Sequence, residues 1–216
     1  MGVSVPYEQI GRVNQKARTR EALIAAARDL LARGVLPTME GAAAAAAISR
    51  TTAYRYFPST RALLVATYPH IETPSLLGND APGDPVERLD LVLRDHGRRI
   101  LEYEPEQRAV LRLSLEPGGD GPPDLPMNRG LRIAWIADAL APLRGRLSDD
   151  ELARLVHGIA ATFGIEAFVW LTDVAGLSRE AAVETIRSNG QAILQSALAD
   201  LRSRAVVEAL SERLGD

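Results

Sequence analysis

The segment SRTTAYRYFPST, residues 49–60, decides how this chain is read. Ser49 is a helix-opening residue, because its hydroxyl can accept from backbone N–H groups of the first turn. Pro58-Ser59 closes the stretch, since proline cannot continue the helical ladder, and starts the next helix. At about 100° per residue, Ala53 and Phe57 share one apolar side of the short helix between them. Thr51, Thr52 and Arg55 point away from that side, and Tyr54 and Tyr56 flank them. A hydrophobic core has little use for so many donors. The DNA major groove does: threonine and arginine reach base edges there, and a guanidinium pairs with guanine through two bonds. Phenol hydroxyls on the flanks can donate to phosphates. Arg50, in the first turn, lies close to the groove floor if the helix enters N-terminus first.

Charge supports the same reading. The chain has 216 residues and a formal net charge of −3. Residues 1–68 hold nine basic and four acidic side chains, a balance of +5, which leaves −8 for the remainder. A basic head on an acidic body implies a polyanionic partner for the head alone. The length allows one or two domains with a sizeable core. No cysteine is present, which excludes disulfides and thiolate metal sites and fits a reducing compartment. No apolar run is read as approaching the roughly 18 residues of a membrane span, and the opening MGVSVPYEQIGRVNQK lacks a signal peptide's apolar stretch. The expectation is a cytoplasmic protein that does not engage a membrane.

The periodicity is helical nearly throughout, so an all-α fold is expected. A first helix is predicted over 17–33, with Leu23, Ala27, Leu30 and Leu31 on one stripe and Gly34 as its stop. A short second helix follows Thr38 as N-cap. After a break near Ala47-Ile48 come the third helix and a fourth over 60–67. The tract GAAAAAAIS, 41–49, supplies helix propensity and side chains small enough for close packing. Residues 72–85 read as a loop, and Asp84-Pro85 opens a fifth helix running to about 103. A sixth spans 105–116, then PGGDGPPDLP reads as a loop, and a seventh spans 128–140. Ser148-Asp149-Asp150-Glu151 is a capping box opening a long eighth helix to about 174. A ninth runs from about 178 through residue 200 into the tail. The expected division is an arm over 1–16, a helix-turn-helix domain over 17–69 and a helical regulatory and dimerisation domain over 70–216. Three short helices with a tight break between second and third make a helix-turn-helix.

Residues 17–68 resemble the DNA-binding domain of the TetR (tetracycline-repressor) family of transcriptional regulators. The resemblance rests on A-x-x-L-L-A-x-G at 27–34 and on AAAISRTTAYRYFPSTRALL at 45–64. It implies that the third helix is the recognition helix, with Arg50, Thr51, Thr52 and Arg55 nearest the bases. It also implies phosphate contacts from Tyr54, Tyr56 and Thr38, with Ser49 and Thr60 at the edges of the same surface. Two positions depart from the family pattern. The usual turn glycine is Ala47, so the turn either differs slightly or carries strain at positive φ. The usual lysine after the Pro-Ser pair is Thr60, so weaker and less salt-sensitive binding is expected.

The resemblance further implies a small-molecule effector held between helices of the acidic body, with His96, Arg99, Trp135 and Phe163 as candidate lining. It implies a homodimer paired through the last two long helices. The residues independently allow that pairing. The eighth helix carries Leu152, Leu155, Val156, Ile159, Phe163 and Trp170 together with Ala160, Ala161, Gly164 and Ala167. The ninth offers Val183, Ile186, Ile193, Leu194, Ala197 and Leu201. Two recognition helices about 34 Å apart would then read a near-palindromic double-stranded operator. The function expected is a ligand-responsive transcriptional regulator, by the family's habit a repressor. The alternative is a non-catalytic helical adaptor, which leaves the basic third helix unexplained. Catalysis is not expected: H-E-x-x-H, G-x-S-x-G, G-x-G-x-x-G and the Walker loop are missing from the sequence. His70, His96 and His157 have no partner at metal-ligand spacing, so neither metal nor cofactor is expected. Glu102, Glu104 and Glu106 read as a solvated turn.

Overall fold

In the computed structural model, residues 7–68, 73–115 and 130–215 are described. Among them the chain is helical without a strand, as the periodicity requires. The helices are α1 (Tyr7–Ala32), α2 (Met39–Ala45), α3 (Arg50–Tyr56), α4 (Thr60–Thr67), α5 (Pro85–Glu102), α6 (Glu104–Leu115), α7 (Leu131–Ala139), α8 (Asp149–Ala161), α9 (Ile165–Val169) and α10 (Arg179–Gly215). They form two compact units. The head contains α1–α4 and, from Pro105 onward, α6; the body contains the rest. Helix α1 starts at Tyr7, well before the expected 17, so 7–16 are its first turns rather than an arm. Residues 1–6, the loop at 117–126, and His70 lie outside the described residues.

The head is built on small side chains. Leu23, Ile24 and Ala27 of α1 meet Met39, Ala42 and Ala43 of α2, and Ala53, Phe57 and Leu63 complete the cluster. Ala42 and Ala43 are the inward members of the alanine tract, and their bare methyls allow the close approach of α2 to its neighbours. A second small cluster joins Leu31 and Leu64 to Ala109 of α6, with Leu113 against it. Arg28 Nε donates to the Thr67 carbonyl at 2.7 Å and ties α1 to the end of α4.

The junction before α6 is not the solvated turn expected of its glutamates. Glu104 and Glu106 are buried. Glu104 pairs with Arg179 inside the body. Burial pushes the Glu106 carboxyl up, against a weaker opposing pull from Arg28. Alternation of charge along a sequence does not reveal which face of a helix is covered, and here the covered face carries the carboxylates.

The body packs α5 against α7 and α10, with α8 between α7 and α10. Leu89, Val92, Leu93 and Ile100 line the inner face of α5. Helix α8 opens with the expected capping box between Ser148 and Glu151, but it does not run unbroken to 174. It ends at Ala161, Gly164 is fully extended, α9 follows, and Trp170–Val174 is a π-helical turn. By length and apolar composition, Asp149–Val174 would pass for a membrane-spanning helix, which the reading of apolar runs missed. The break shows what the stretch does here. Arg132 of α7 inserts its guanidinium at the interruption and donates to the Phe163 carbonyl at 2.7 Å. It also pairs with Glu166 at 3.0 Å. A side chain at Gly164 would collide with that guanidinium. The glycine is present to admit an arginine, where close helix approach was expected.

Candidate nucleic-acid interface and a buried aromatic cluster

Helix α3 is fixed at both ends by side chains. The Ser49 hydroxyl accepts from Thr52 N at 3.2 Å and donates to Thr52 Oγ1 at 2.9 Å. The Phe57 N–H closes the helix on Ala53 O. Ala53 and Phe57 are buried, which orients the opposite face outward. Arg50, Thr51, Tyr54 and Arg55 are exposed, and Thr52 is half-buried. Tyr56 is half-buried and packs against the head core, so the two flanking tyrosines are not equivalent. The Thr38 and Ser59 hydroxyls cap α2 and α4, accepting from Gly41 N at 3.0 Å and Ala62 N at 3.1 Å. Both capping residues are exposed. Thr60 opens α4 and is half-buried; Arg61 beside it is half-buried too, with its Nε shielded and unpaired.

The turn before α3 repeats the geometry that ends α1. At the end of α1, Gly34 (φ 74°) donates to Leu31 O, and Val35 donates to Leu30 O. At the end of α2, Ala47 (φ 55°) donates to Ala44 O at 3.1 Å, and Ile48 donates to Ala43 O at 2.9 Å. Both are Schellman closures, whose C′ residue is left-handed and favours glycine. Ala47 adopts that conformation with a Cβ, so of the two alternatives the turn is kept and carries the strain of a positive φ.

The tetR family model of bacterial regulatory proteins matches residues 23–67, from the middle of α1 to the end of α4. The head is a tetR-type helix-turn-helix domain. It supports a DNA-binding transcriptional regulator. No curated protein matches the chain. The tetR-family match ends before the body begins.

Within the body, three of the four candidate effector residues come together. The His96 ring lies 4.6 Å from the Phe163 ring and 5.6 Å from the Trp135 ring, tilted at 54° and 58°. Trp135 satisfies its indole by donating to Thr73 O at 2.8 Å. His96 is buried, and neither ring nitrogen has a hydrogen-bond partner. Burial, reinforced by the positive charges of Arg132 and Arg99, pulls its pKa down to about 3, so the ring is neutral at physiological pH. Arg99 lies one turn along α5 and pairs with Asp95 at 2.6 Å. Burial alone would raise the Asp95 carboxyl, but hydrogen bonds from Arg99 and Arg98 outweigh it and hold it below the usual range. Arg132 and Glu166, which border this cluster, were missed in the sequence. They stand 34 residues apart on different helices, and no periodicity links them.

Proposed function

We propose that the chain is a ligand-responsive repressor that binds a near-palindromic operator as a homodimer in the cytoplasm. The outward face of α3 carries this reading. Arg50, Thr51, Thr52 and Arg55 contact base edges. Tyr54, Tyr56, Thr38, Ser49 and Thr60 contact or flank the phosphates. Exposure of Arg55 and of Tyr54, which is 39% exposed, supports the assignment, since burial of either tip would have forbidden it. The absent lysine at Thr60 lowers the number of phosphate charges met, and with it the salt slope.

The homodimer is supported by where apolar surface is left uncovered. Trp170 (58% exposed), Val174, Val206, Val207 and Leu210 all lie on the stretch after α8 or in the last turns of α10, the elements expected to pair with a second copy. Effector binding is supported by His96. An enclosed imidazole with two unmet hydrogen-bonding atoms is costly, and a ligand that met one of them would be favoured. Together with Trp135, Phe163 and Arg99 it makes the candidate effector site. A ligand that prefers one body conformation changes operator affinity by the coupling free energy, typically about 1–3 kcal/mol.

Selecting duplexes from a random pool with the full chain, then footprinting, tests the DNA reading. The expected product is a two-fold site with half-sites about one helical turn, or a multiple of it, apart; failure to enrich any sequence refutes it. Titrating the selected duplex in the presence of small molecules that shift the chain's melting temperature tests the response. Equal operator affinity with and without such ligands refutes coupling.

A further inference from the structure

Four acidic side chains lie in the first 68 residues, and one of them touches the recognition helix. Glu40 is in the first turn of α2, and its Oε1 lies 2.8 Å from Arg50 Nε across the helix-turn-helix. The Arg50 guanidinium also sits over the Tyr54 ring, 5.5 Å from the centroid. A carboxylate this close to a DNA-facing surface repels phosphate, so its placement calls for a reason. Stability is a poor one. The Arg50 and Glu40 side chains are 67% and 50% exposed, and an exposed pair contributes little. Helix-dipole compensation explains an acid in the first turn of α2, but it does not explain why the carboxylate reaches the next helix.

The geometry gives a different reason. Contact at Nε, with the ring beneath, engages one edge of the guanidinium, and its two terminal nitrogens have no partner among the described residues. Those two nitrogens can bind guanine O6 and N7 together. The same carboxylate penalises the competing pose: if Arg50 swings to a phosphate, it leaves a bare carboxylate behind, close to the DNA backbone. We propose that Glu40 is a positioning residue that makes Arg50 a base reader rather than a phosphate contact. It thereby sets a preference for guanine at one position of each half-site. This rests on α3 lying in the major groove.

The test uses the full chain as wild type, Glu40→Ala, Arg50→Ala and the double variant. The probes are the duplex selected by the wild type from a random pool, its single base-pair substitutions, and an unrelated duplex. Affinities are measured by fluorescence anisotropy at several salt concentrations. Arg50→Ala should erase the preference at one base pair. Glu40→Ala should weaken that same preference about tenfold, within the range of one bidentate contact. It should also tighten binding to the unrelated duplex and steepen the log–log salt slope by about one, as expected for one added phosphate contact. In the double variant, the loss at that base pair should equal that of Arg50→Ala alone. Unchanged discrimination in Glu40→Ala, or losses that simply add, overturns the role of Glu40 while leaving Arg50 as a reader. Should Arg50→Ala change no base preference, the inference fails together with the placement of α3 in the groove.

Discussion

The head and the body use arginine differently. In the body, Arg88, Arg94, Arg98, Arg99, Arg132, Arg179, Arg187 and Arg204 are each paired with a carboxylate. Several do more than pair. Arg88 also donates to the Ala139 and Asp138 carbonyls, and Arg187 joins Asp90 on α5 to Glu184 on α10. In the head, Arg55 has no carboxylate partner among the described residues, and Arg20 lies over the Phe57 ring. Arg88, Arg132, Arg179, Arg187 and Arg204 use their pairs to link one helix to another. The head pairs Arg33 with Asp29 and Arg50 with Glu40, but it leaves Arg55 facing outward, where an external anion can neutralise it. The difference leaves a charged surface on the head for an external partner and ties the body's helices to one another.

The sharpest break of this contrast is Arg55→Ala. It should lower affinity for the selected duplex about 10–100-fold, the range of a lost bidentate base contact, with the melting temperature unchanged. Anisotropy titration beside thermal unfolding checks both halves. A stability loss without an affinity loss would put Arg55 in the same class as the body's arginines.

A pH series probes the body in the same spirit. His96 titrates near 6.5 when unfolded and at about 3 when folded, so the unfolded chain binds the proton more readily throughout that interval. Stability is full above pH 6.5 and falls as pH drops toward 3. Between pH 7 and 5 the loss attributable to His96 should be about 2 kcal/mol. Asp95 and Glu166, both held below the usual carboxylate range, remain ionised in that window. Urea unfolding of wild type and His96→Gln at pH 7 and 5 should show the slope in the former and a flatter response in the latter. Equal slopes would mean that the ring is not enclosed in the folded state.

Gly164→Ala sharpens the reading of the broken helix. The new methyl displaces the Arg132 guanidinium, costing its bonds to Phe163 O and Glu166. A loss of about 1–2 kcal/mol is expected, read by urea unfolding, with DNA affinity retained at temperatures where the variant is folded. The smallest effect belongs to the head. Ala47→Gly relieves a left-handed Cβ at the cost of a looser unfolded chain, so a gain of about 0.5–1 kcal/mol is expected from thermal unfolding. A loss instead would show that the turn tolerates the alanine without strain.

Local chemistry made much of the head legible. The caps at Thr38, Ser49 and Ser59, the proline stop and the Ala53–Phe57 face all act within a few residues of themselves. Sequence therefore determined that α2, α3 and α4 form, where they begin, and which side of α3 faces outward. It left open whether Ala47 would keep the turn with a left-handed φ, which the Schellman closure in the structure decided. The tertiary structure decided what depends on residues far apart. It placed α6 with the head, buried Glu104 and Glu106, and packed Tyr56 inward while Tyr54 stayed exposed. It drew His96, Trp135 and Phe163 together, drove Arg132 into the break at Gly164, and set Glu40 against Arg50. A side chain's hydrogen bonds to its own turn are written in its neighbours. The company it keeps across helices follows from how whole faces pack, and a single sequence does not carry that pairing in any local pattern.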